Sequence, residues 1–233
     1  MRVDSDGEEI LRHLLETNTE FKRFYDEIFK KKIGSIGWIY ESNMPPGLAA
    51  YYHAGEKAIH YKNYPVSIKD VYLMAHEIMH AVRDKEIDLL VVRCSAREYE
   101  YLGTSLKSLL EDQNVDRILK DQYNIDLLPC YMASINYVEG RPGIEPKETI
   151  YRIWKGLVLA NTMLKWDLIT NQDALERWRD HLKWYRDQYP NVYRMGKNIA
   201  KIIRRIGLTD VEKHRDIAIK LINKYNLNET LFV

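Results

Sequence analysis

The run Ala75-His76-Glu77-Ile78-Met79-His80-Ala81 is the feature that most limits what this chain can become. It lies in a stretch, Ser67 to Arg83, where Ile68, Val71, Ala75, Ile78 and Val82 recur at three- and four-residue steps, the period of a helix with one buried face. Ser67 and Asp70 stand where a capping pair would open that helix. Four residues are close to one helical turn, so His76 and His80 leave the same face, one above the other. Two imidazoles so placed can share one tetrahedral divalent ion such as zinc. Glu77 lies about 100° further round the axis. From there it is expected not to bind the ion but to reach a water beside it as general base, while the ion lowers the pKa of that water. Passing the proton on to a leaving amine completes a metal-assisted amide hydrolysis. The competing reading is a core helix that carries two histidines by chance. The apolar Ile78 and Met79 within the motif, and strand-like runs before it, favour the metal.

Composition narrows the alternatives. The chain has 233 residues, 45% of them hydrophobic, enough to bury a sizeable core in one domain or one domain with an appended lobe. Thirty-five Lys and Arg against thirty-four Asp and Glu give a net charge of +1, so no global field draws nucleic acid or an anionic membrane. The opening MRVDSDGEEILRH carries charges where a secretory leader needs an apolar run, and no apolar stretch is long enough to span a bilayer. A cytoplasmic location is the expectation. Cys94 and Cys130 are too few for a disulfide scaffold and too far apart in sequence for a thiolate zinc site.

Periodicity predicts an α+β chain that is mainly α. Residues 8–31 read as an amphipathic helix stopped by Gly34. Three β-like runs follow, Ile36 to Glu41, Leu48 to His53 and Lys57 to Tyr61, the last two as a hairpin, with Met44-Pro45-Pro46-Gly47 as the turn before it. They are expected to form a small antiparallel sheet. After the motif helix, the pattern predicts helices near Ile87 to Leu102 and Ser105 to Asp121, divided by Gly103. Turn formers at Glu139-Gly140-Arg141-Pro142-Gly143 precede four more helices, near Glu148 to Trp166, Gln172 to Tyr185, Val192 to Ile206 and Asp210 to Asn223. The expected organisation is a core over 1–140 and a helical lobe over 141–233, with one continuous domain as the alternative.

The segment LMAHEIMHAV resembles the active-site helix of the zincin metallopeptidases. The resemblance covers roughly residues 30 to 85 and implies a zincin-like core, peptide-bond hydrolysis, and an edge strand, here Leu48 to Tyr61, that aligns an extended peptide. A catalytic zinc site usually has three protein donors, so a third is needed. The metzincin extension would place glycine and histidine at positions held by Arg83 and Glu86, which points to a downstream carboxylate instead. In Leu110-Glu111-Asp112-Gln113-Asn114-Val115-Asp116, Glu111 resembles the ligand glutamate of the gluzincin group, and Asp112 and Asp116 would orient a histidine. The familiar ligand-to-aspartate spacing of four fits Asp112 with Asp116 rather than Glu111, which keeps Asp112 as an alternative third ligand. Glu98 and Glu100 are further candidates.

Tyr131, Tyr137 and Arg141 stand at candidate positions for stabilising an oxyanion. His53 and His60 fall on the hairpin and read as packing residues, as do His181 and His214 on late helices. Arg194, Lys197, Lys201, Arg204 and Arg205 form a basic stripe without aromatic interleaving, read as a solvated face. The expected partners are therefore zinc and a peptide or protein substrate, with no nucleic acid and no membrane. A non-proteolytic zinc protein of regulatory or interaction type is the alternative; a base at Glu77 argues against it.

Overall fold

The computed structural model describes residues 5–44, 49–62, 68–86, 91–208 and 211–233. The expected turn at Pro45 to Gly47, the strand start at Leu48 and the cap at Ser67 lie outside them. Contact density divides the chain into two compact units, Met1–Asp88 with Val115–Tyr137, and Leu89–Asn114 with Val138–Val233. The last of the three divisions falls between Tyr137 and Val138, and residues 89–114 group with the later helices.

In the first unit, α1 (Ser5–Thr17) and α2 (Thr19–Phe24) replace the single helix expected over 8–31. The break is at Asn18, whose extended backbone and side chain, accepting from Phe21 N at 2.7 Å, cap α2. A π-helical turn, Tyr25–Phe29, carries the chain into α3 (Lys30–Lys32). Phe21, Phe24 and Phe29 are buried, so this side of the unit is an aromatic core rather than an exposed arm.

Strands β1 (Gly37–Tyr40), β2 (Ala50–His53) and β3 (Ala58–Tyr61) form one sheet in the order β1-β3-β2. The hairpin of β2 and β3 is present, closed by Ala54 to Lys57 with Lys57 at φ 51°. The expectation of a purely antiparallel sheet is corrected, because β1 runs parallel to β3. All four residues of β3 are buried, and a central strand covered on both faces takes neighbours of either direction. Helix α4 (Ile68–Glu86) follows, with Val71, Ala75, Ile78 and Val82 buried as the periodicity predicts, and packs on β2.

The expected helix from Ile87 to Leu102 is not observed. Residues 87–90 lie outside the described set, and then come β4 (Arg93–Cys94), a single 3-10 turn (Arg97–Tyr99) and α5 (Glu100–Tyr123). Gly103 does not end a helix but sits inside α5. A Cβ there would meet Cys94 Sγ at 2.7 Å, so glycine is required by the close approach of β4. Helix α6 (Leu128–Glu139) follows α5.

The second unit holds α7 (Thr149–Trp166), α8 (Gln172–Gln188), α9 (Pro190–Ile206) and α10 (Val211–Lys224), close to the expected spans, and the strand β5 (Leu231–Phe232), which pairs with β4. Gly156 and Gly196 let α7 and α9 approach: a Cβ at Gly156 would meet Met195 at 2.8 Å and one at Gly196 would meet Leu159 at 2.9 Å. Trp166 and Trp178 stack at 5.0 Å, and His181 continues the stack toward Trp184. Among the described residues no helix is long and apolar enough to cross a membrane.

Candidate metal centre

The site grows from a stripe on α4. Tyr72, His76 and His80 follow one another at four-residue steps, and the helix carries all three along one face. His76 is buried and His80 half-buried. Their Nε2 atoms are 3.1 Å apart, with the rings nearly perpendicular at 80°. Two zinc–nitrogen bonds of about 2.0–2.1 Å at the tetrahedral angle would hold their nitrogens about 3.3 Å apart. The observed spacing, which is also that of an N–H···N hydrogen bond between the rings, is close enough for two donors to share one ion.

The remaining nitrogen of His76 faces Asp116 on α5. Nδ1 lies 2.7 Å from Asp116 Oδ1, Tyr72 donates to the same oxygen at 2.8 Å, and Tyr131 from α6 donates to Oδ2 at 2.6 Å. Asp116 is fully buried, where an ionised carboxylate costs several kcal/mol unless it is hydrogen-bonded. Charge-assisted bonds contribute about 1.5–3 kcal/mol each, and three of them offset that cost. Burial, and then the Asp116 charge, hold the Tyr72 phenol well above its ordinary pKa, so it remains a donor. With Asp116 accepting throughout, the bond network assigns the His76 proton to Nδ1 and leaves the Nε2 lone pair toward His80.

Helix α5 brings Asp112 near both histidines. Asp112 is one turn before Asp116 on the same helix, and one donor atom from each of His76, His80 and Asp112 lies within 4.8 Å of the others. Glu111, about 100° round the axis, is also buried but does not belong to that group. Asp112 Oδ2 is held by Asn161 Nδ2 and Lys165 Nζ, both at 2.9 Å. Glu98 and Glu100 are exposed. Glu100 precedes Asp112 by about 18 Å of helical rise, so α5 carries it away from the histidines. Two imidazoles and a carboxylate, one imidazole anchored from behind, are a donor set that could hold a metal ion.

Glu77 points elsewhere, as its position on the helix predicts. Its Oε2 accepts the Tyr52 backbone N–H at 2.8 Å. Lys62 N donates to Ala49 O across the hairpin, so alternate residues Ala50 and Tyr52 turn their backbone groups to the edge of β2 that no described strand pairs. The carboxylate is thus tied to an edge strand. The Tyr52 hydroxyl reaches Asp84 at 3.3 Å, and burial, with the Asp84 charge next, raises its pKa to about 12.

The other sequence candidates fall outside this centre. Tyr131 serves Asp116, while Tyr137 and Arg141 are exposed. His60 is bracketed by Glu41 at 3.2 Å and Glu56 at 2.9 Å and stacks on Tyr51; His53 accepts from Glu56 N. His214 is buried with Nε2 at 3.1 Å from Leu208 O, and Arg204 on the basic stripe pairs with Asp167. The residue that sequence reasoning missed is Tyr72, although its place four residues before His76 was visible. Comparison with protein families, curated proteins and solved structures finds no match.

Proposed function

We propose that this chain is a zinc-dependent hydrolase of peptide bonds, in which His76, His80 and Asp112 hold the metal and Glu77 is the general base. The observation that carries the reading is the 3.1 Å approach of the two Nε2 atoms, with Asp116 behind His76 and Asp112 beside them. When bound, the ion supplies Lewis acidity that polarises a carbonyl and makes water a competent nucleophile near neutral pH. Asp112 rather than Glu111 fills the third place, because the stripe that puts Asp116 on His76 brings Asp112 round one turn earlier. Three donors among the described residues leave a tetrahedral position open, as catalysis requires and a closed structural site does not.

The protein's own groups have separate tasks. Asp116 holds the His76 ring and its proton at Nδ1. Glu77, oriented by the Tyr52 N–H, takes the proton of the attacking water and returns it to the departing amine. The edge of β2, which no other described strand pairs and where Glu77 already accepts from Tyr52 N, supports a peptide rather than a small molecule as substrate, since such edges accept extended chains by strand addition. The test is zinc analysis with hydrolysis of a quenched-peptide library, for wild type and Glu77→Gln. Wild type is expected to cut and to be blocked by a hydroxamate chelator. The variant should keep its zinc and lose at least about 10²–10⁴-fold in rate. A variant that cuts as fast as wild type would remove Glu77 from the mechanism, and a loaded protein that cuts nothing would favour a regulatory zinc protein.

A further inference from the structure

Tyr72 and Tyr131 approach the centre without touching the place where the metal would sit. Both phenols end on Asp116, one on each carboxylate oxygen, in a volume closed to solvent. A phenol has a single proton to give. Tyr131, 2.6 Å from Oδ2, fixes the rotation of the carboxylate about its own axis, and that rotation aims Oδ1 at His76.

Tyr72 sits at the branch point. Its oxygen is 2.8 Å from Asp116 Oδ1 and 3.3 Å from His76 Nδ1. If Nδ1 lost its proton to solvent while Asp116 stayed ionised, its lone pair would face a carboxylate oxygen at 2.7 Å, and the Tyr72 hydroxyl, 3.3 Å away, could satisfy it only by abandoning Asp116. While the Tyr72 proton stays on Asp116, that alternative is closed. With Asp116 ionised, Nδ1–H is then the arrangement that leaves no lone pair facing another across this contact, and the Nε2 lone pair of His76 faces His80 Nε2 at 3.1 Å. Second partners of this kind commonly change metal affinity by about 10–100-fold.

We propose that Tyr72 and Tyr131 are positioning residues that lock His76 in its metal-binding tautomer through Asp116. The inference rests on the zinc reading for its purpose, but the tautomer exists without metal and is testable by itself. The experiment uses the full chain as wild type, Tyr72→Phe, Tyr131→Phe and the double variant, with Tyr123→Phe as a control, because Tyr123 is also buried in the same unit. Nitrogen-15 NMR of the metal-free protein reads the His76 tautomer, and competition with a chromophoric chelator reads zinc affinity.

Metal-free wild type should show a protonated Nδ1 and a bare Nε2. The double variant should show both tautomers in exchange and bind zinc about tenfold more weakly, with each single variant in between and Tyr123→Phe unchanged. Wild type with its proton on Nε2, or a double variant that keeps both the tautomer and the affinity, would overturn the inference. A wild type with the expected tautomer that binds no zinc would overturn the function instead. If the double variant fails to fold, the single variants and the wild-type spectrum still decide the question.

Discussion

The molecule builds the same small device twice. In the first unit a buried carboxylate, Asp116, meets His76 Nδ1 at 2.7 Å; in the second, Glu139 meets His181 Nδ1 at 2.8 Å. What differs is the company of the other side of each ring. His76 turns Nε2 toward a second imidazole 3.1 Å away, while His181 is stacked between Trp178 and Trp184 at 5.4 and 5.6 Å. Glu139 is also claimed by Arg177, which with the His181 bond holds its pKa below the ordinary value. A carboxylate behind a histidine therefore does not by itself make a metal centre. The partner of the remaining nitrogen differs, a second imidazole that could share an ion in one case and stacked indoles in the other.

The sharpest way to break this contrast is to remove one donor from each device. His76→Ala or His80→Ala should abolish stoichiometric zinc binding, read by elemental analysis after gel filtration, whereas His181→Phe should leave zinc content unchanged. Asp112→Asn should come next, with a large loss of affinity, while Glu111→Gln keeps zinc; the reverse order would exchange their roles. Asp116→Asn should weaken zinc by about 10–100-fold, and Glu139→Gln should not weaken it at all.

Smaller effects concern stability. Gly196→Leu forces a side chain into Leu159 across the α7–α9 contact and should cost about 1–3 kcal/mol in chemical denaturation, with zinc affinity intact. The pH dependence of the second device has a definite sign. Burial is the main cause that lowers the His181 pKa below its ordinary 6.5, and Arg177 is the main cause that lowers Glu139 below its ordinary 4.5. Depressed values mean the unfolded chain binds protons that the folded one refuses. Stability is thus present above the ordinary values and is lost on acidification, first through His181 below about 6.5 and then through Glu139 below about 4.5. Melting temperature should fall from pH 7 to 5, and His181→Phe, which keeps a ring in the stack, should flatten that part of the curve.

Much of this was legible in the residues, for reasons that also explain what was not. The four-residue step from His76 to His80 is a local property of a helix and set the stripe and the separate direction of Glu77, while local periodicity along residues 148–223 made the late helices from α7 to α10 legible. Asp116 followed from its four-residue spacing to Asp112. The choice between Glu111 and Asp112 depends on the rotation of α5 about its axis, which nearest-neighbour patterns do not encode; both residues are buried, so hydrophobic periodicity could not separate them. Gly103 read as a helix stop because the approach of Cys94, nine residues earlier in the chain, is a tertiary contact. The parallel pairing of β1 with β3 was hidden in the same way, since alternation along a strand is silent about the direction of its neighbour.

The central claim is that one ion is gripped by two imidazoles and one carboxylate, with no thiolate. X-ray absorption at the zinc edge on protein loaded with one equivalent tests it most directly. The account predicts a first shell of nitrogen and oxygen at about 2.0–2.1 Å, histidine multiple scattering that disappears in His76→Ala, and no sulfur at about 2.3 Å. A sulfur scatterer, a spectrum unchanged in His76→Ala, or a protein that takes up no zinc would contradict it.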